Sequence, residues 1–144
     1  MDQTGPARGP HHDPPDRRYR QALRPLESNN YLQLPVTPEH CRSNYHMFYI
    51  LLPSGDIRDA LLHYLQSRNI HAVLHYVPLH SSPRGRLLYP GSSLPVTDNI
   101  AARLLRLPFF YSLEPHEQAR VTNEIADFLY NTRESPCPVV THAI

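Results

Sequence analysis

The stretch YHMFYILLPSGDIRDALLHYLQSRNI, Tyr45–Ile70, decides how the chain folds. Its first part, Tyr45–Leu52, is apolar or aromatic at nearly every position. That predicts a strand covered on both faces, or on one face plus a partner domain. Pro53, Ser54 and Gly55 break the run. Asp56 can then cap a helix that carries Ile57, Leu61 and Leu65 on one stripe, with Ala60 and Tyr64 beside it. Asn69 suits the left-handed position just past the helix end, and Ile70 would fold back over the last turn. Strand, break and helix in direct succession open a mixed arrangement.

Downstream, AVLHYV (Ala72–Val77) reads as a second strand that Pro78 ends. Leu79–Val96 is expected to be a long loop, with prolines at 83, 90 and 95 and glycines at 85 and 91. Thr97 would cap a helix in which Ile100, Leu104 and Leu107 share a face with Ala101. A third short strand falls within Leu105–Phe109, turning at Pro108. Pro115 suits the first position of a last helix with Val121, Ile125 and Phe128 as its stripe. Its preceding residue, Glu114, is a weak cap, for which Ser112 could substitute. The expected class is α/β (α+β), ordered β-α-β-α-β-α around a small three-stranded sheet.

Upstream, Arg17–Leu26 is amphipathic, whereas residues 1–16 hold prolines at 6, 10, 14 and 15, which deny the backbone donors and fix its angles. The expected organisation is a disordered Pro-rich head over 1–16 and a linker helix with extended lead-in over 17–42. A folded domain over 43–130 and an irregular tail over 131–144 complete it. No internal repeat is visible.

The 144 residues carry 14 Lys+Arg and 13 Asp+Glu, for a formal net charge of +1. Near-neutrality gives no electrostatic warrant for nucleic acid or an anionic membrane as partner. All 14 basic positions are arginine, which excludes any Schiff-base chemistry on a lysine of this chain. Cys41 and Cys137 make no disulfide framework, and a reducing compartment is expected. No apolar run approaches the roughly 18 residues of a membrane span. Met1–Pro15 lacks the apolar core of a signal peptide.

The 10 histidines invite a metal reading. Neither the pair His75 and His80 nor the group His40, Cys41 and His46 has the paired spacing that sets ligands around zinc, so no metal is expected. His11 and His12 are most simply a solvated pair, and Cys41 near histidines has no local signature of a nucleophile. Glycine-rich phosphate loops and the nucleophile elbow are absent. NIHAVLHYVPLHSSPRGR (Asn69–Arg86) differs: a strand end and a rigid proline turn can project His75, Tyr76 and His80 toward a ligand, with Arg84 and Arg86 following. Taken alone, these residues favour a buried structural histidine at 75; at 80 the structural and ligand-facing readings stand level.

Three segments in order, SNYHMFYI (Ser43–Ile50), HYVPLHSSPRG (His75–Gly85) and RLLRLPFFYSL (Arg103–Leu113), resemble the C-terminal small domain of the DegT/StrS-type sugar aminotransferases. RRYRQALRPLE (Arg17–Glu27) is similar to the end of the helix that joins the two domains of that family. The resemblance covers about Arg17 to Tyr130. It implies a fold-type-I enzyme that uses pyridoxal 5′-phosphate, with a lysine to hold the cofactor and shuttle the proton. Such enzymes transfer an amino group from glutamate to C4 of a dTDP-4-keto-6-deoxyhexose, here giving dTDP-4-amino-4,6-dideoxygalactose, as cytoplasmic homodimers in cell-surface polysaccharide synthesis.

In the family the lysine, the partner of the pyridine nitrogen and the phosphate cup belong to the large domain, which would precede Arg17. This chain has a short Pro-rich head there and no lysine. The resemblance therefore implies no catalytic or cofactor-binding residue here. The positions that could meet a dTDP-sugar are His75, Tyr76 and His80, with Arg84 a weaker phosphate contact. The expectation is a C-terminal fragment or remnant, inactive alone, whose partner is a large domain or a second subunit. The alternatives are a non-catalytic sugar-nucleotide or partner-binding module, one half of a split transaminase, and an unrelated globular domain. The small core predicts marginal stability and self-association of the isolated chain.

Overall fold

A computed structural model describes residues 15–41, 43–91 and 93–134; most of the expected head and tail, with Cys137, lie outside the described residues. Helix α1 (Pro15–Ser28) begins the fold. Pro15 stands in its first turn with Asp16, so the helix starts two residues before the expected boundary. Proline costs nothing where the amide has no helical acceptor, and Arg20 Nε reaches back to Asp16 Oδ2 at 2.8 Å. Tyr19, Leu23 and Leu26 line one buried face. Asn30, at φ 58°, turns the chain out. Tyr31 and Asn30 donate to the Leu26 and Glu27 carbonyls, which closes the helix end.

Three strands follow: β1 (Phe48–Leu51), β2 (Val73–Leu74) and β3 (Leu104–Leu107). The order is β1-β3-β2, and both pairs are antiparallel. Phe48 faces Leu107 and Ile50 faces Leu105, so four apolar side chains share one face of the sheet. Tyr19 stacks on Phe48 at 4.9 Å between ring centroids and donates its hydroxyl to the Pro108 carbonyl. The core therefore reaches well upstream of Ser43, taking in α1 and also Leu32 and Leu34. Gln33 bridges to Leu51 and covers the outer edge of β1.

Helix α2 (Gly55–Ser67) is capped by Ser54, whose hydroxyl accepts from the Ile57 amide. Asp56 was the expected cap; it lies inside the first turn, where a carboxylate favours the helix dipole. Leu61, Leu62 and Leu65 are buried. The other end closes as the sequence predicts: Asn69 has φ 57°, and the Ile70 and Asn69 amides donate to the Leu65 and Gln66 carbonyls.

The second strand is shorter than the expected Ala72–Val77. It pairs only with Leu105 and Arg106 of β3, and at this edge Val73 and Leu74 stay about half exposed. The expected loop of Leu79–Val96 holds a 3-10 turn (Leu79–Ser81) and a helix, α3 (Pro83–Leu88). Helix α4 (Pro95–Arg103) starts at its proline, without a side-chain cap, so Thr97 does not cap it. A proline at the first position has no amide to satisfy. Leu104 and Leu107 leave the helix for β3, because full register with β1 outweighs the helical spacing.

Helix α5 (Pro115–Glu134) runs beyond the expected end at Tyr130. The Glu114 amide donates to Glu117 Oε2 at 2.9 Å, so the reaching side chain comes from Glu117 rather than Ser112. Val121, Ile125 and Leu129 form the buried stripe, with Phe128 only partly buried. Tyr64 of α2 and Arg68, just past its end, both reach Glu124 of α5, at 3.0 and 2.7 Å, and the Arg68 guanidinium lies 3.5 Å from the Tyr64 ring centroid. Burial and Glu124 together raise the pKa of Tyr64.

Candidate functional site

The segment from β2 to α3 is built by its serines, prolines and glycine. Pro78, extended at ψ 138°, aims the chain out of the sheet and precedes the turn. The Ser81 hydroxyl donates to the Pro78 carbonyl at 3.0 Å. Ser82 Oγ donates to the Leu79 carbonyl at 2.7 Å and accepts the Gly85 amide at 3.0 Å, which caps α3. A Cβ at Gly85 would lie 2.8 Å from the Leu79 carbonyl carbon and closer still to its oxygen. Only glycine permits this approach. The motif HSSPRG is thus largely a turn-building device, and the side chains of His80 and Arg84 take no part in the turn's hydrogen bonds.

His80 Nε2 lies 2.8 Å from Oδ1 of Asp98, on the first turn of α4, and the histidine side chain is only 10% exposed. His75 is half-buried, less enclosed than a core histidine. Its Nδ1 is buried without a hydrogen-bond partner among the described residues. A buried polar atom left so costs about 1–3 kcal/mol. The His75 and Tyr76 rings meet at 5.0 Å between centroids, while Tyr76 remains 78% exposed. Arg84 is exposed on α3. Among the described residues no hydrogen bond or ring contact joins His80 or Arg84 to the His75–Tyr76 pair.

Around these residues lie large apolar side chains open to solvent, including Val77, Leu79, Leu87, Tyr89 and Val96. Two half-open clefts lie elsewhere. One of about 350 Å³ is lined by His71, Phe110, His116, Glu117 and Arg120 among others. The other, about 170 Å³, is lined by Gln33, Leu51 and Arg103 among others. None of the four sequence-predicted residues lines either cleft.

Asp98 is the residue sequence reasoning missed. Its only local signal is an acidic side chain in a helical first turn, which ordinarily means dipole compensation. Nothing in the spacing announces that it meets His80.

Among the described residues, no group of three or more His, Cys, Asp or Glu is placed to hold a metal ion. Likewise no helix there is long and apolar enough to cross a membrane. The donor set does not fit pyridoxal phosphate as a covalent cofactor, since the chain has no lysine amine to offer it.

Residues 15–126 match the DegT/DnrJ/EryC1/StrS aminotransferase family. Over 97 residues the chain is 33% identical to a pleiotropic regulatory protein of Geobacillus stearothermophilus, covering 66% of this chain and 26% of that protein. Its fold is similar to that of S. venezuelae DesV, solved in complex with a ketimine intermediate. There the TM-score is 0.71 and the identity 29%, over 80% of this chain and 30% of that one. NtdA of Bacillus subtilis, solved with bound cofactor PMP, shares the fold at a TM-score of 0.71 and 22% identity, over 81% of this chain and 27% of that one. The chain spans about a quarter to a third of the length of these relatives.

Proposed function

The chain belongs to the DegT/DnrJ/EryC1/StrS aminotransferase family, and from that premise we propose that it is the small-domain part of a sugar-nucleotide transaminase. Its share of the work is to present the His75–Gly85 segment to a dTDP-4-keto-6-deoxyhexose at the mouth of an active site. The observation that carries this reading is the exposed apolar surface around His75, Tyr76, His80 and Arg84, a surface of the kind that another domain covers.

The amino transfer runs from glutamate to C4 of the sugar, giving dTDP-4-amino-4,6-dideoxygalactose in the cytoplasm. The lysine and the pyridoxal phosphate belong to the large domain, whether that domain is joined to this chain or comes from another. His80 and Tyr76 offer hydrogen bonds to the sugar nucleotide, and Arg84 offers its guanidinium to the diphosphate. Residues 43–130, together with α1 and Leu32 and Leu34 that complete their core, form the unit that docks.

Alone, the chain is inactive. Borohydride reduction after adding pyridoxal phosphate, followed by intact mass, should give at most an adduct at the terminal amine. A stable adduct together with turnover of a 4-keto sugar nucleotide would contradict this. A second reading draws on the relative whose name is a pleiotropic regulatory protein: a non-catalytic module that holds a sugar nucleotide or a partner. Adding a separately expressed large domain discriminates the two. The transaminase reading predicts restored turnover, and the module reading predicts none.

A further inference from the structure

His80 and Asp98 come from different elements and meet through one bond, Nε2 to Oδ1 at 2.8 Å. An ionised carboxylate can only accept, so Nε2 must carry the hydrogen. In a neutral imidazole the other nitrogen is then bare and can only accept. Among the described residues Nδ1 of His80 has no partner. The ring, 10% exposed, has little freedom to turn. Asp98 is 45% exposed and needs no partner for its own sake, since water and the start of α4 would satisfy it.

We infer that Asp98 is a positioning residue: it holds His80 as the Nε2–H tautomer and so presents Nδ1 as an acceptor for a hydroxyl or imide N–H of the bound nucleotide sugar. The ligand half of this inference rests on the function proposed above; the tautomer half rests on the geometry alone.

The two halves are tested separately on the full chain. Long-range proton–nitrogen NMR of the histidine rings at alkaline pH reads the tautomer without any ligand. Wild type should show a bare Nδ1 at His80, Asp98→Ala a mixture of tautomers, and Asp98→Glu a return toward the wild-type state. The same ring state in wild type and Asp98→Ala, or a hydrogen on Nδ1 in wild type, overturns the inference. Titration with thymidine diphosphate is the second arm. His80→Ala and Asp98→Ala should each weaken binding about 3- to 10-fold, the worth of one hydrogen bond. The double variant should bind no worse than His80→Ala. Unchanged affinity in Asp98→Ala despite a lost tautomer overturns the ligand half. No binding by wild type overturns the proposed function, while the tautomer result stands independently.

Discussion

Two regions of similar composition behave in opposite ways. In α2, three leucines of a single helix are buried, and so are Phe48, Ile50, Leu105 and Leu107 on one face of the sheet. From residue 73 to 103 none of the described residues is buried, although Val77, Leu79, Leu87, Leu88, Tyr89 and Val96 lie there. The difference is one of partners. Helices α1, α2 and α5 contribute buried side chains to one core with the sheet, and α1 and α2 close their C-terminal ends with hydrogen bonds within this chain. The segment from β2 to α4 meets the rest of the fold through the β2–β3 pairing and through α4 against α2, and leaves its large apolar side chains exposed. Such a surface is of the kind that another body covers, and the function proposed above assigns that role to a large domain.

The sharpest way to break this comparison is to delete a large side chain from each region. Phe48→Ala removes a ring that is fully buried against Tyr19 and should cost about 3–5 kcal/mol in denaturant unfolding. For a small domain that is much of the total stability. A loss as small as that of a surface substitution would mean that the α1–β1 packing is wrong.

Gly85→Ala comes next, at about 1–3 kcal/mol for forcing a methyl against the Leu79 carbonyl. The damage should remain local, read as lost hydrogen-exchange protection in α3 while the amides of α2 and α5 keep theirs. Uniform loss across the chain would join the two regions into one cooperative unit.

A third test uses alkaline pH. Burial pushes the Tyr19 hydroxyl well above the ordinary tyrosine value of 10.0. A group with a raised folded pKa stabilises fully below its unfolded value and loses that contribution as pH rises toward the folded value. Stability should therefore fall above about pH 10, and Tyr19→Phe should flatten that fall while losing the bond to Pro108. Equal slopes for the two proteins would show that Tyr19 is not the group responsible.

The smallest effect belongs to the uncovered face. Leu79→Ser and Leu87→Ser, at side chains 87% and 74% exposed, should each change stability by less than about 0.5 kcal/mol. Together they should reduce self-association in size-exclusion chromatography. A large destabilisation would show that the face is packed within this chain after all.

What was legible in the sequence follows the same division. The end of α2 was readable to the residue, because Asn69 and Ile70 act through local backbone bonds. The start of α5 at Pro115 was readable for the same reason. Leu104 and Leu107 fit a helical stripe, and only their pairing with β1 decides for a strand. The extent of β2 likewise depends on how much edge β3 offers, which no local pattern states. Ser82, Pro83 and Gly85 carry strong turn signals, but in the company of two other prolines and a second glycine they read as a loop. Of the candidate site, His75, Tyr76, His80 and Arg84 are singled out by a strand end, a proline and a resemblance, and their contact with a ligand is a proposal. Asp98 is not singled out, since its role exists only once α4 is brought against the turn.

The most direct test of the central claim is an amide NMR titration of the full chain with thymidine diphosphate. Shifts confined to residues 75–86 and the first turn of α4, with the amides of α2 and α5 unmoved, are the predicted result. Shifts centred on the cleft of His71, His116 and Arg120, or none at all, would contradict it.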